Sequence, residues 1–306
     1  MNQPLIVLAG GTGFLGRQVA CYFRQLGYEV LTLTRRVRRF GEVAWDGRTL
    51  GAWAAKLEGA AVVLNLAGKS VDCRYNAVNK YAIIRSRTES TRVLGEAIAR
   101  CQRPPTVWLN ASTATIYQHT EGAEPANTEE AGCLGRGFSE MVAQRWEAEF
   151  WLAQVPRTRQ VALRTAIVLG SDGGALPVLT RLAKRGLCTP QGDGQQWVSW
   201  LHVEDFCRAV EFLVRNPTLA GTFNLCAPQP LHNYAFNGLL AQHYQPRWQL
   251  PQPRWLLEIG AFLLRTETEL ILKSRKVVPQ RLLEAGFRFR YPSCELALAD
   301  LLPQLG

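Results

Sequence analysis

From residue 10 the chain reads Gly-Gly-Thr-Gly-Phe-Leu-Gly, which sets Gly10, Gly13 and Gly16 three apart directly after the apolar run Leu5-Ile6-Val7-Leu8-Ala9. Each glycine of that spacing has a task in holding a diphosphate. Gly10 permits a sharp turn, Gly13 lets main-chain N–H groups approach a pyrophosphate, and Gly16 lets the following helix lie close on a sheet. The unpaired amides at that helix start favour an anion. Gly10, Thr12, Gly13, Phe14, Leu15 and Gly16 are therefore the expected contacts of a dinucleotide. The next strand ends Leu33-Thr34-Arg35-Arg36, and the first acid after it is Glu42. An NAD site commonly has Asp or Glu here for the ribose hydroxyls. Arg35 and Arg36 instead suit a 2′-phosphate, so NADP(H) is the expected cofactor, with a solvated basic loop as the alternative. Leu66, Ala67 and Gly68, after Asn65, fit a wall beside adenine or ribose.

These groups need a scaffold that brings strand ends together. Strand patterns are expected at 5–9, 29–33, 43–45, 61–64, 106–110, 160–163, 197–201 and 222–225. Helical patterns run from the glycine turn to about 26 and over 78–101, 138–153, 177–184 and 204–214, with Gly27 placed to stop the first. The alternation predicts an α/β fold, a Rossmann-type doubly wound parallel sheet with a smaller C-terminal substrate lobe. The expected division is 1–170 for the cofactor domain, with 198–225 returning to it. The substrate lobe then takes 171–197 and 226–306, including a helical extension from about 250.

Composition narrows the function classes. Of 306 residues 47% are hydrophobic and 20% charged, as in ordinary globular chains. The N-terminal apolar run leads straight into glycines and reads as a strand, not a signal peptide. The late apolar run at 255–264 contains Glu258 and is too short to span a bilayer. Eight scattered cysteines without a CxxC pair suit a reducing, cytoplasmic compartment, and four dispersed histidines suggest no metal site. The net charge of +10 raises nucleic acid as a partner, but the arginines are dispersed and match no nucleic-acid motif. The expected partner is a small molecule, with the chain a monomer or homodimer.

The glycine turn, Asn65-Leu66-Ala67-Gly68, Asn110-Ala111-Ser112-Thr113 and Tyr117 together resemble the extended short-chain dehydrogenase/reductases. More narrowly, the chain is similar to the "epimerase family protein" branch of the NAD(P)-dependent epimerase/dehydratases. That similarity takes in Ser86-Arg87 with Ser90-Thr91, Arg164-Thr165, Asp172-Gly173-Gly174-Ala175-Leu176-Pro177, the segment 194–200, Asp205 and the run 279–292. The resemblance implies a Ser or Thr that holds a substrate oxygen, a Tyr acid/base and a Lys four residues on that supports it. Ser112 or Thr113 fits the hydroxyl role. Where Tyr-x-x-x-Lys is due, the chain has Phe138 and Val142, which neither transfer a proton nor stabilise a phenolate.

Three readings follow: Tyr117 carries the proton, Glu140 does so, or the protein binds the dinucleotide without turnover as a sensor or regulator. Ser112, Thr113 and Tyr117 are the catalytic candidates. Arg164, Gln196, Trp197 and Trp200 are the substrate-side candidates, the tryptophans as covers for a sugar or as core. Arg85 and Arg87 either reach an anionic substrate or pair across a dimer. The expected activity is that of an NADP(H)-dependent epimerase, dehydratase or reductase acting on a nucleotide-linked sugar or another acidic metabolite.

Overall fold

The computed structural model describes residues 3–190, 192–246, 248 and 273–305. Seven parallel strands form its central sheet: β1 (Leu5–Ala9), β2 (Glu29–Thr34), β3 (Glu42–Ala44), β4 (Val62–Asn65), β5 (Val107–Thr113), β6 (Arg159–Thr165) and, late in the chain, β10 (Gly221–Leu225). Their order is β10-β6-β5-β4-β1-β2-β3. Sequence order reverses at β1, which lies between β2 and β4. A doubly wound sheet opens its ligand crevice there, beyond the carboxyl ends of the strands.

The strands read as near-continuous apolar runs because both faces are covered. On one face Ile6 and Leu8 meet Val19 and Phe23 of α1 (Phe14–Gln25) and Phe206, Val210 and Leu213 of α5 (Val203–Arg215). Leu282, in α7 (Gln280–Glu284), and Phe287 join that cluster, so the C-terminal part of the chain also packs on the sheet. On the other face Val7, Val63 and Trp108 meet Val93, Leu94 and Ile98 of α2 (Ala77–Ala99) and Phe150 of α3 (Phe138–Leu152). Asn76 caps α2 by accepting the Asn79 amide proton at 2.8 Å.

A second core unites β7 (Ile167–Leu169), α4 (Leu176–Lys184), β9 (Trp200–His202), α6 (Asn233–Tyr244) and α8 (Cys294–Leu301). It includes Leu169, Leu176, Trp200, Phe236, Leu240, Leu298 and Leu301. The single strand expected at 197–201 is two short ones, β8 (Trp197–Val198) and β9. Ser199 divides them because its hydroxyl donates to the Arg275 carbonyl at 2.8 Å and accepts from the Val277 amide at 2.9 Å. β8 pairs instead with β11 (Leu231–His232). The fully buried Asp205 fastens the end of the chain: its carboxylate accepts from the Arg290 and Tyr291 amides and from Arg208 Nη1, at 2.8 to 2.9 Å.

The apolar run at 255–264, and with it most of the helical extension expected from about 250, lies outside the described residues. All eight cysteines are free thiols. Among the described residues no helix is long and apolar enough to cross a membrane.

Candidate functional site

A cleft of about 470 Å³ opens at the carboxyl edge of the sheet, between the glycine turn, the ends of β4 and β5, the start of α3 and the segment 165–175. Local sterics explain the glycines. Gly10 has φ +77°, and a Cβ there would lie 2.8 Å from the Leu66 carbonyl. At Gly16 a Cβ would collide with Gly11 Cα and stand 2.7 Å from Gly10 O, so only glycine lets α1 approach this closely. Gly13 differs. A Cβ would meet nothing nearer than Gly10 O, at 3.5 Å, so the space beside it is open to a ligand. Gly13 is also the N-cap of α1 and supplies no side-chain cap, which leaves first-turn amides for an anion.

Of the expected cofactor residues, Gly10, Gly13, Phe14, Leu15, Gly16 and Leu66 line this cleft. Thr12 is exposed, and its carbonyl accepts from Arg17 Nη1 at 3.2 Å. Ala67 packs on the core of α2 and β4, and Gly68 lies against the Arg87 guanidinium. Arg35 and Arg36 are exposed directly after β2. Glu42 Oε2 accepts from the Arg38 and Arg39 amides at 2.6 and 3.1 Å, so the nearest acid is engaged by its own loop.

A buried polar knot sets the ends of β4 and β5. Asn65 Nδ2 donates to Asn110 Oδ1 at 2.7 Å and to Thr91 Oγ1 at 3.1 Å, and Trp146 Nε1 donates to the same threonine at 3.0 Å. This knot ties two strands to α2 and α3. It thereby fixes the distance from the glycine turn to the α3 wall.

Ser112 and Thr113 line the cleft. Ser112 Oγ donates to Glu147 Oε1 at 2.5 Å. Arg164 holds Glu147 through two bonds, of 2.9 Å from Nε and 2.8 Å from Nη2. The third nitrogen of Arg164 donates to the Tyr117 hydroxyl at 2.9 Å, and that hydroxyl donates to Asn224 Oδ1 at 2.8 Å. Ser112, Glu147, Arg164, Tyr117 and Asn224 thus form one chain from the cleft floor into the core.

That geometry corrects two expectations. Tyr117 is fully buried and does not line the cleft, so it is not placed to serve as the acid/base. Burial raises its pKa, with Arg164 opposing part of the rise. Arg164, expected on the substrate side, is committed to Glu147 and Tyr117. Burial pulls its pKa down, but the hydrogen bond and charge of Glu147 outweigh that and raise it.

The other substrate-side candidates also lie away from the cleft lining. Trp200 is wholly buried in the second core, and its Nε1 donates to the Gln229 carbonyl. Trp197 packs on His232 at 3.8 Å and donates to the Gly122 carbonyl, while the Gln196 carbonyl accepts the Asn233 amide. The break between β8 and β9 at Ser199 leaves these aromatics in separate packing sites. Glu140 is buried and ion-paired with Arg275, with Lys273 Nζ at 3.6 Å.

Phe138, Ser139, Val142, Ala143 and Trp146 form the α3 wall of the cleft. The lining also contains Tyr75, Thr115 and Thr165, which were not expected as site residues, and Arg87, which was expected either to reach an anionic substrate or to pair across a dimer. Tyr75 packs edge-on to Phe138 at 5.0 Å and brings a phenol to the wall where the resemblance implied one. It comes from the irregular 66–76 connection, where no periodic pattern points to a face. For Arg87 the available signal was the Ser86-Arg87 pair.

Residues 6–226 match the model of the NAD dependent epimerase/dehydratase family. The chain belongs to that family. Residues 252–301 match a further domain of unknown function, DUF1731. The chain is 32% identical to "Epimerase family protein YfhF" of Bacillus subtilis (strain 168), with 97% of each covered. Among solved structures it is similar to human epimerase family protein SDR39U1 (isoform 2) with NADPH. There the TM-score is 0.87 at 26% identity, covering 98% of this chain and 99% of the other. MoeE5 in complex with UDP-glucuronic acid and NAD shares the fold, with a TM-score of 0.76 at 19% identity and 98% of each chain covered.

Proposed function

We propose that this family member binds NADP(H) on the glycine turn and exchanges hydride with a small substrate held beside Ser112. The observation that carries the reading is that one cleft contains both the open amide cradle at Gly13 and the Ser112 hydroxyl. When bound, the nicotinamide supplies the carbon that gives or takes hydride. Ser112 has its proton directed at Glu147, so its oxygen retains lone pairs to accept a substrate hydroxyl. Arg164 keeps Glu147 in place for that bond. The exposed Arg35 and Arg36 are the groups for the adenosine 2′-phosphate, and a human relative crystallised with NADPH supports that assignment.

One observation favours a second reading, dinucleotide binding without turnover: Phe138 and Val142 line the cleft in place of a phenol and an ammonium. Calorimetry followed by deuteride transfer separates the two. NADPH should bind more tightly than NADH. Serine at both 35 and 36 should cost NADPH about 10–100-fold, the worth of one or two charge-assisted hydrogen bonds, and leave NADH unchanged. Deuterium should then pass from C4-labelled NADPH into a member of a nucleotide-sugar and carbonyl panel. Binding without any transfer supports the regulator, and no binding of either dinucleotide refutes both readings.

A further inference from the structure

The cleft is poor in the groups that hold a sugar. Among the described residues that line it, none carries a carboxylate, a side-chain amide, an imidazole or an ammonium. Arg87 is the one charged side chain among them, and it is turned onto protein. Its guanidinium stacks over the Trp146 ring at 5.1 Å, and Nη1 donates to the Lys69 and Ile83 carbonyls at 3.0 and 3.1 Å. The hydroxyls are engaged as well. Ser112 donates to Glu147, Thr165 donates to the Leu163 carbonyl at 3.2 Å, and the Thr113 and Thr115 hydroxyls bond each other at 3.1 Å. A pyranose would bury several hydroxyls, and each one left unpaired weakens binding. A nucleoside diphosphate adds two negative charges against a single cation.

What the cleft offers beyond the glycine turn is an apolar wall. Phe138, Val142 and Trp146 stand four apart along α3 and therefore share one face of it. Tyr75 sets its ring edge-on against Phe138 at 5.0 Å, and Val71 and Ile83 extend the same lining. The Trp146 indole N–H is bonded to Thr91 at 3.0 Å, so ring carbon is what this side chain presents to a ligand. A dinucleotide on the glycine turn shares the cleft of about 470 Å³, which leaves room beside Ser112 for a compact ligand and not for a second nucleotide.

We propose that the second ligand of the cleft is a neutral, compact ring alcohol, with its hydroxyl donating to Ser112 Oγ and its apolar body on the Phe138, Val142 and Trp146 face, and not a sugar nucleotide. The inference rests on the role given to Ser112 in the proposed function and narrows the substrate class of that site. Ser112 suits the polar end of such a ligand, because its own proton is directed at Glu147 and its oxygen is left to accept. Burial of the ring supplies the affinity, at about fourfold for each methylene-sized piece taken out of water. Edge-to-face contacts with Phe138 and Tyr75 favour an aromatic ring. Phe138 and Val142, which stand where the family's phenol and ammonium are due, are then the centre of the recognition face.

Calorimetry on protein saturated with NADPH tests this, since the reduced dinucleotide permits no oxidation of an alcohol during the titration. Benzyl alcohol, indanol and tetralol are compared with UDP-glucose and free glucose. Affinity should rise from benzyl alcohol to the two-ring alcohols, and these should bind at least about tenfold more tightly than either sugar. Val142→Thr is close to isosteric and places a hydroxyl on the apolar face. It should weaken the two-ring alcohols about tenfold and leave NADPH within about threefold. UDP-glucose bound as tightly as the ring alcohols, ring alcohols that do not bind, or ring alcohols bound equally well by Val142→Thr would each overturn the inference. Val142→Ala, which removes two methyl groups from the face and should cost a similar factor, replaces Val142→Thr should the latter not fold. If the unmodified chain takes no NADPH, the proposed function falls, and the same alcohols titrated into the ligand-free chain and its variant still decide the face.

Discussion

Replacing Tyr117 with phenylalanine separates a structural phenol from a catalytic one. The substitution keeps the ring, so it opens no cavity. The Arg164 guanidinium, 5.0 Å from the ring centroid, keeps that contact and both bonds to Glu147. What is lost is one hydroxyl that donates to Asn224 Oδ1 and accepts from Arg164 Nη1. Asn224 is wholly buried and the Arg164 side chain is 11% exposed, so water has little access to either orphaned group. A buried polar group left without its partner costs about 1–3 kcal/mol, and two such groups in one network should together cost about 2–4 kcal/mol. Urea unfolding at pH 7 should show that loss, while NADPH affinity by calorimetry should stay within about threefold of the unmodified chain. A variant with unchanged stability and abolished hydride exchange would put the phenol back in the chemistry and refute the placement.

Gly13→Ala should fold normally, since its Cβ has only an ordinary contact at 3.5 Å, yet weaken NADPH at least about tenfold by filling the cradle. Gly16→Ala should lower stability itself, because the new methyl stands 2.7 Å from Gly10 O, and thermal unfolding distinguishes the pair. His202 has its pKa lowered by burial, with Asp300 opposing, and its Nδ1 accepts the Glu204 amide proton at the start of α5. The unfolded chain therefore binds the proton more readily. The stability from the neutral ring is complete above about pH 6.5 and declines as pH falls through the lower folded value. His202→Asn, which retains a capping acceptor, should remove that part of the acid slope in urea unfolding. Asp205→Ala should release the Arg290 and Tyr291 amides and expose the end of the chain to limited proteolysis ahead of the rest.

The glycine turn and the parallel sheet were legible in the sequence because each depends on neighbours a few residues away. Three glycines at fixed spacing between a strand and a helix specify a local backbone path. Apolar runs without alternation specify strands covered on both faces. The missing Tyr-x-x-x-Lys pair was equally plain, since Phe138 and Val142 occupy known positions on one helix.

What surrounds the cleft was settled only by elements remote in the chain. Tyr117 follows a strand end and looks accessible, but Asn224 on β10 and Arg164 on β6 claim its hydroxyl. Trp200 read equally as a cover for a sugar or as core until α6 and α8 enclosed it, and Arg164 read as an anion candidate until Glu147 on α3 met it. Arg87 was one of several arginines on α2, and among the described residues it lacks the carboxylate partner that Arg85 and Arg92 find. Periodicity reports which face of an element is buried. It carries no record of which polar group from another element arrives to satisfy a donor there, and that pairing decides which side chains remain free for a ligand.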